Sequence, residues 1–410
     1  MQFLRSAKHP VRCFSRAITW SVAIAAIVGG ALPAVAADEP GVATYANPLL
    51  PSGPDPWILQ VGGYYYYTHT LGNRIALWRT DNVARLGEVE PLTVWTPPKE
   101  GANAHSIWAP ELHRIDGKWF LYYSATASGF TDDDHRAIFV LENAGPDPMR
   151  GKWIDRGRVN TAHAGIDGTI FDHGGKRYFA YSPYIGPDSA IAIAEMANPW
   201  TLKGEETVIA RPDHVWERQG GRQIVEGPEF LAGPKGDLFL TYSASACWSD
   251  DYSLGLLRAP PGADPLDAAA WSKSPQPVFK SANGVYATGH NGFFRSPDGS
   301  ESWIIYHANP AAGMGCTAKR APHIQRFGWT ATGWPDFGAP VSTGTRLPVP
   351  SGNRALGAGH HPRRPWTAAK ARSRSGQRDA GLAAGRFGPK PCPPVSKRCI
   401  DALRPCASIA

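Results

Sequence analysis

One hairpin pattern occurs five times along this 410-residue chain, and this repeat constrains the fold more than any other feature. Each copy begins with a polar or acidic residue and continues as a short apolar strand, a Gly- or Asp-bearing turn and an aromatic strand that ends in tyrosine. The closing tyrosines are Tyr67, Tyr123, Tyr181, Tyr242 and Tyr306, at spacings of 56, 58, 61 and 64 residues. A period of this length with several strands in each repeat is typical of β-propeller blades.

Two further strands follow each hairpin. The third strand alternates apolar and polar residues, as in IALWRT from Ile75, and the fourth follows a Trp-bearing turn, as in KWIDRG. No stretch has a sustained helical period, and Asp264 to Trp271 could form a short turn of helix at most. The sequence therefore predicts an all-β, five-bladed propeller with about four antiparallel strands per blade.

Polar residues occupy nearly the same position in successive repeats, 12 to 16 residues before the closing tyrosine. They are Asp55, Asp167, Glu226 and His290, and the second repeat has Ala109 and Glu111 at these distances. The first strand of each propeller blade lines the central channel. We therefore expect three carboxylates that are distant in sequence, together with a histidine, to meet at one mouth of that channel.

The two ends of the chain differ in composition from the repeats. Residues 1–36 have four basic residues, an apolar run from Ile18 to Leu32 and the small residues of Ala34–Ala36, which predict a cleaved signal peptide. The apolar run is short for a membrane span, so an uncleaved anchor is the alternative. Residues 37–350 are predicted to form the propeller. Residues 351–410 are rich in Arg, Ala, Gly and Pro and are predicted to be a disordered basic tail.

The tail has two interpretations, a flexible basic tether to an anionic surface or the product of a reading-frame slip.

The two ends of the chain account for its positive net charge. The formal net charge is +7, but the basic residues concentrate in the leader and the tail, which leaves the propeller mildly acidic. The basic net charge is therefore no argument for nucleic acid binding. A neutral polymer such as a polysaccharide is compatible with such a surface.

Six motifs occur in the order seen in a known enzyme family. They are NPLLPSGPDPW, HSIWAPELH, GIDGTIF, VEGPEFL, CWSDDYSLGLL and ATGHNGFF. From about Ala46 to Pro350 the chain resembles glycoside hydrolase family 43. The resemblance implies a five-bladed propeller that acts on arabinose- or xylose-containing plant polysaccharides. The CWSDDYSLGLL and GMGCTAKRAPHIQ stretches are most similar to the exo-acting α-L-arabinofuranosidases of that family.

The resemblance also implies roles for the three acids. Asp55 would be the general base that activates water, and Glu226 the general acid that protonates the leaving oxygen. Asp167 would hold Glu226 in place and raise its pKa by like-charge proximity. Because the family inverts stereochemistry, the base and acid carboxyls should lie roughly 6.5–9.5 Å apart. Taken singly, Asp55 and Asp167 could instead be turn residues, and Glu226 a solvated strand end.

His290 occupies the fifth position of the repeat. In similar enzymes this histidine lies on the channel axis beside an ion, often calcium, that it reaches through water. A single imidazole is a poor ligand for calcium, which binds six to eight oxygens. We therefore expect a hydrogen-bonded channel histidine, with no direct metal ligand. A structural calcium ion near His290 is an additional prediction, and no cofactor is required for the chemistry.

Three residues are predicted to contact substrate. The rings of Trp108 and Trp248 could stack on sugar faces, with core packing as the alternative for both. By the resemblance, Arg320 would point its donors at sugar hydroxyls, with a surface salt bridge as the alternative. Cys247 and Cys316 follow the second strands of adjacent blades. They could form one disulfide in an oxidising compartment or remain free buried thiols.

Two classes of function remain at this point. The first is a secreted or periplasmic glycosidase that releases terminal α-L-arabinofuranose from arabinan or arabinoxylan. β-Xylosidase and endo-arabinanase are alternatives within that class, although long loops favour a closed, exo-acting pocket. The second class is a non-catalytic sugar-binding propeller, which loss of an acid would mark. No acid is missing here, and neither nucleic acid binding nor stable membrane insertion is expected.

Overall fold

The computed structural model describes residues 43–353, and these fold into five four-stranded antiparallel sheets arranged as propeller blades. Strands are numbered in chain order, and β1 (Thr44–Ala46) precedes the first blade. Blade 1 consists of β2 (Trp57–Val61), β3 (Tyr64–Thr68), β4 (Ile75–Thr80) and β5 (Leu92–Trp95). Blade 2 consists of β6 (His105–Ile115), β7 (Lys118–Thr126), β8 (Arg136–Asn143) and β9 (Ile154–Arg158).

The other three blades repeat this order. Blade 3 consists of β10 (Gly165–His173), β11 (Lys176–Ile185), β13 (Ile191–Asn198) and β14 (Thr201–Ala210), with the short β12 (Asp188–Ser189) paired to β11. Blade 4 consists of β15 (Val225–Ala232), β16 (Leu238–Ala244), β17 (Ser253–Ala259) and β18 (Ser272–Lys273). Blade 5 consists of β19 (Tyr286–Arg295), β20 (Ser302–Asn309), β21 (Ala321–Trp329) and β22 (Pro335–Asp336). The predicted fold class is confirmed.

Helical structure among residues 43–353 is limited to three short 3₁₀ segments. They are Val83–Glu88, Val215–Glu217 and Ala268–Ala270. The last of these lies within the stretch where the sequence predicted a turn of helix. None of the helices in the described part of the chain is long and apolar enough to cross a membrane.

The closing tyrosines of the five repeats are part of the hydrophobic core. Each lies on the second strand of its blade and is at most 1% exposed. Tyr242, for example, packs with Leu240 and Leu257 in a cluster shared between blades 3 and 4. Gly255 faces Tyr242 across β16 and β17, and a Cβ at this glycine would overlap the tyrosine ring. Burial of these rings supplies much of the apolar area that stabilises the sheets.

The ring of blades is closed by the N-terminal residues. β1 pairs antiparallel with β23 (Arg346–Pro348). The Tyr45 hydroxyl and the Asn47 side-chain amide also donate to the backbone oxygen of Ile324 in blade 5 (2.9 and 2.8 Å). The sequence alone left open whether apolar packing is the only closure, and the structure adds these hydrogen bonds. The predicted signal peptide, and the predicted tail beyond residue 353, lie outside the described residues.

Candidate active site

A backbone feature recurs near the start of the first strand in every blade. Besides Ser106 and Ala287, one residue at the equivalent position of each blade adopts a positive φ, a region that L-residues other than Asn, Asp and His rarely occupy. The five residues are Asp55 (54°), Ala109 (42°), Asp167 (58°), Gly227 (57°) and His290 (47°). In blades 2 to 5 the strand register shifts at this point, as in a β-bulge, which re-aims the side chain. In blade 4 the repeated position belongs to Gly227, and Glu226 precedes it.

Side chains of the preceding blade hold these residues in place. In four blades the backbone N–H donates to a side chain on, or just after, the second strand of the blade before. The pairs, donor residue first, are Asp55 with His307 (3.1 Å), Ala109 with Thr70 (2.7 Å), Asp167 with Ser124 (3.1 Å) and His290 with Ser243 (2.7 Å). In blade 4 the Gly227 N–H instead donates to Asp167 Oδ2 at 3.0 Å. The channel mouth is therefore built by contacts between blades.

A pocket of about 430 Å³ lies at this mouth, within the usual range for ligand sites of roughly 300–1,000 Å³. All seven residues that the sequence singled out line it: Asp55, Trp108, Asp167, Glu226, Trp248, His290 and Arg320. The expected convergence of the three carboxylates and the histidine is therefore observed. Independent turn residues or solvated strand ends would not share one pocket.

Asp55 is surrounded by the cationic guanidinium of Arg320, the hydroxyl of Thr70 and two histidine rings. Arg320 Nη1 lies 2.9 Å from its Oδ1, and Thr70 Oγ1 donates to its Oδ2 at 2.7 Å. The Nδ1 atoms of His307 and His290 lie 3.4 and 3.6 Å from Oδ1. Burial acts to raise the pKa of Asp55, but Arg320 and the two histidines outweigh it and hold the pKa well below its usual value. Asp55 is therefore ionised at neutral pH.

Glu226, unlike Asp55, favours its protonated form. It is the second residue of β15, and its Oε1 accepts a hydrogen bond from the Tyr252 hydroxyl at 2.8 Å. Burial raises the pKa of Glu226 to about 7. The Tyr252 hydrogen bond opposes this rise, and the negative charge of Asp55 adds to it. A carboxyl group with this pKa retains its proton in a large fraction of molecules near neutral pH.

Asp167 is the most buried of the three acids, at 4% exposed. Burial raises its pKa well above the usual value, and the charge of Glu226 adds to the rise. Because two carboxylates in one buried site repel each other, Asp167 and Glu226 together retain a proton near neutral pH. The hydrogen bond from Gly227 to Asp167 ties the acid of blade 3 to the peptide that follows Glu226.

His290 is buried, and its backbone N–H is hydrogen-bonded to Ser243. Its ring is near-parallel to that of His307, with centroids 6.0 Å apart, and its Nδ1 faces Asp55. Among residues 43–353, no group of three or more His, Cys, Asp or Glu side chains is arranged to hold a metal ion. Calcium prefers six to eight oxygen ligands, so the residues around His290 do not fit direct calcium coordination.

The rings of Trp108 and Trp248, which were predicted to contact substrate, differ in their contacts and exposure. The Trp108 ring is covered on one face by Arg136, whose Cζ lies 3.4 Å from the ring centroid. The Trp248 ring is 49% exposed and is held by its Nε1 donating to Gly220 O at 2.8 Å. Core packing is therefore the wrong interpretation for Trp248.

The geometry excludes one alternative for Arg320 and one for the two cysteines. Arg320 makes its ion pair with Asp55 inside the pocket, so the surface salt bridge is wrong. Cys247 and Cys316 form a disulfide, and both line the pocket. Free buried thiols are therefore excluded.

Sequence reasoning missed several residues of the site. They are Thr70, Asp133, Tyr184, Arg222, Tyr252 and His307. A signal was present for His307, because it replaces the small polar residue that follows Tyr123, Tyr181 and Tyr242. No signal marked Asp133 and Arg222, which pair at 2.7 Å although 89 residues separate them.

An ionised carboxylate and a protonated carboxyl group in one pocket of a five-bladed propeller are the groups that glycoside hydrolysis requires. The fold and the site together define a propeller glycosidase. Comparison with known proteins gives the family. The model of the Glycosyl hydrolases family 43 matches residues 45–335, and the chain belongs to this family.

The curated relatives include two bacterial proteins named extracellular exo-alpha-(1->5)-L-arabinofuranosidase. The protein from Streptomyces avermitilis is 38% identical over 76% of this chain and 66% of its own length. The protein from Streptomyces chartreusis is 39% identical over 72% of this chain and 91% of its own length. Among solved structures, an alpha-L-arabinofuranosidase from Lactobacillus brevis is 35% identical, with a TM-score of 0.69, and the match covers 73% of this chain and 98% of that protein.

Proposed function

We propose that this glycoside hydrolase releases terminal α-L-arabinofuranose from arabinan- or arabinoxylan-type plant polysaccharides, with inversion at the anomeric carbon. The observation that carries the proposal is the opposite protonation of Asp55 and Glu226 in one pocket. The exo-acting relatives, which are similar along most of this chain, support arabinofuranose as the sugar.

Asp55 acts as the general base. Its ionised carboxylate takes a proton from a water molecule as that water attacks the anomeric carbon, on the face opposite the leaving oxygen. Arg320 and Thr70 each bind one oxygen of the carboxylate and so fix its orientation. His307 holds the backbone of Asp55 through its Nδ1, which leaves the Asp55 carboxylate free to accept the proton.

Glu226 acts as the general acid. It donates its proton to the glycosidic oxygen as the bond to the anomeric carbon breaks. The cycle leaves Asp55 protonated and Glu226 ionised, and exchange with solvent through the open pocket restores both. Asp167 is a positioning residue, because its Oδ2 accepts a hydrogen bond from the peptide N–H that follows Glu226. Burial and the charge of Glu226 raise the pKa of Asp167, so the two carboxyl groups are not both ionised near neutral pH.

Cross-links between loops support action on chain ends. The Asp133–Arg222 ion pair joins loops of blades 2 and 4, and the disulfide joins loops of blades 4 and 5. Both cross-links line the pocket with Trp248. A pocket walled on these sides accepts the end of a polysaccharide more readily than an internal segment.

Product analysis with three substrates tests the proposal. Purified protein is incubated with p-nitrophenyl α-L-arabinofuranoside, p-nitrophenyl β-D-xyloside and debranched arabinan. We expect p-nitrophenol from the arabinoside and arabinose alone from arabinan. Short arabino-oligomers would indicate endo action, release from the xyloside alone would indicate a β-xylosidase, and no reaction with any substrate would favour a sugar-binding propeller.

Two predictions from the sequence remain part of the proposal. Export from the cytoplasm agrees with the relatives that are named extracellular. A hydrated calcium ion near His290 stays a prediction, and no step above uses it. Thermal unfolding of EDTA-dialysed protein with and without added Ca²⁺ tests it, since an ion bound by the folded state would raise Tm.

A further inference from the structure

A second groove, with a cavity volume of about 740 Å³, lies beside the active-site pocket. Its walls belong to three loops, at residues 211–224, 245–252 and 274–285. The first and third loops lead into β15 and β19, which begin near Glu226 and His290. The second loop leaves β16 where β16 pairs with the start of β15, at Ala244 and Val225. All three loops therefore lie on the face of the propeller that carries the active site.

The pocket and the groove share a wall. Trp248 lines the pocket, and its Nε1 donates to Gly220 O, next to Gln219 of the groove. The Gln219 N–H donates to Ser245 Oγ at 3.1 Å, and the Ala246 N–H donates to Gln219 O at 3.0 Å. These bonds hold the 211–224 loop against the 245–252 loop. The wall is preorganised, so a ligand that crosses it would not have to order it.

The lining of the groove combines apolar surface with neutral and charged hydrogen-bonding groups. Val215 is 78% exposed, and with Trp248 it is one of five exposed large apolar side chains among residues 43–353. Trp216 lies beside Val215, and its Nε1 donates to Pro275 O at 3.2 Å. Gln276 and Lys280 supply polar atoms on the opposite loop. Asp250 and Asp251 also line the groove, so the apolar surface is flanked by amide and ammonium donors and by carboxylate acceptors, which suits sugar rings and their hydroxyl groups.

We propose that this groove binds the part of the polysaccharide chain that continues beyond the scissile bond. This inference rests on the proposed function, since an enzyme that accepts only the chain end leaves the rest of the polymer outside the pocket. A chain that leaves the pocket over Trp248 meets the groove next, on the same face. The groove would lower KM for polymers and leave small arabinosides unaffected.

Kinetics with a long and a short substrate test the inference. The variant Val215→Ser/Gln276→Ala/Lys280→Ala changes the groove lining only, and Leu92→Ser/Ile154→Ser is the control, because both residues are exposed apolar side chains on the outer strands of blades 1 and 2. For the groove variant we expect KM for linear arabinan to rise at least fivefold, with KM for p-nitrophenyl α-L-arabinofuranoside within twofold. An unchanged KM for arabinan, or an equal change on both substrates, would overturn the inference.

A binding assay separates the groove from the catalytic proposal. The substitutions are placed in a Glu226→Gln background, and migration is measured in native gels that contain linear arabinan or arabinoxylan. We expect retardation of Glu226→Gln by polysaccharide and at least a threefold loss of that retardation in the groove variant. Equal retardation, or no retardation of Glu226→Gln, would overturn the groove. Failure of the wild type to cleave any arabinoside would overturn only the proposed activity.

Discussion

The two carboxyl groups of the proposed reaction differ because their neighbours differ. Asp55 pairs with the cationic guanidinium of Arg320 and accepts a hydrogen bond from Thr70, so its negative charge is compensated. Glu226 has the Tyr252 hydroxyl and lies close to other acids, so burial dominates its ionisation. The same type of group therefore serves as base in one place and as acid in the other.

Replacement of Glu226 by Gln tests the acid role. The amide cannot donate the proton that an alkoxide leaving group needs, whereas p-nitrophenolate leaves without one. We expect kcat/KM on arabino-oligosaccharides to fall by about 10²–10⁴-fold, and far less on p-nitrophenyl α-L-arabinofuranoside. Glu205→Gln, on the exposed part of β14, is the control and should change neither. Equal losses on both substrates would remove Glu226 from the acid role.

Replacement of Arg320 by Ala tests how Asp55 is kept ionised. Arg320 lowers the pKa of Asp55, so its loss raises that pKa, and the acidic limb of the kcat/KM profile should move to higher pH by about one to three pH units. Arg320 also lowers the pKa of Glu226, so the alkaline limb, near pH 7 in the wild type, should rise as well.

Two comparisons make the Arg320 result specific. Tyr252→Phe removes only the hydrogen bond that favours ionised Glu226, so it should raise the alkaline limb alone. Arg326→Ala, in an exposed pair with Glu301, should move neither limb. An unchanged acidic limb in Arg320→Ala would show that Arg320 does not control the base.

Much of the site could be predicted at the level of single residues, because the hairpin pattern repeats along the chain. Asp55, Asp167 and Glu226 were recognisable because each lies at a comparable distance before a closing tyrosine. Thr70, Tyr252 and Arg222 were not, because each acts through a partner that only the folded chain brings near. The sequence encodes positions along a strand, whereas contacts between loops and strands, within a blade or between blades, depend on how the folded chain packs.

Among the structural elements, the first strand of each blade positions the chemistry. The sequence predicted the hairpins and the loops between them, but not the bulge that the positive φ values reveal. In blade 4 the count back from Tyr242 reaches Glu226, whereas the positive φ belongs to Gly227. A count along a regular strand cannot detect an extra residue, because a bulge changes the register without changing the residue types.

The loops of blades 4 and 5 also shape the pocket, and the contribution of their disulfide to stability can be measured. Cys247 and Cys316 are 69 residues apart in sequence, so chain entropy assigns the bond about 4 kcal/mol. We expect Cys247→Ala/Cys316→Ala to lower the free energy of unfolding by about 2–4 kcal/mol in guanidinium denaturation. A reducing agent should lower the stability of the wild type but not of the variant. Equal stability of the two proteins would contradict this.

At the scale of the whole molecule, circular closure brings the site together. Asp55 belongs to blade 1 and His307 to blade 5, and they are hydrogen-bonded only because the ring closes between these blades. β1 and β23 fasten that closure. The five-bladed arrangement could be predicted from the repeat, whereas the closing pair could not, since neither short strand has a marked pattern.

The account predicts one outcome for the hydrolysis of an α-1,5-linked arabinotriose followed from its first minutes by ¹H NMR. Single displacement at the chain end should give free arabinose whose first anomeric signal is the β-furanose, together with arabinobiose. The α-anomer as the first signal, or no release of arabinose by the active protein, would contradict the assignment of Asp55 and Glu226 as base and acid at the channel mouth.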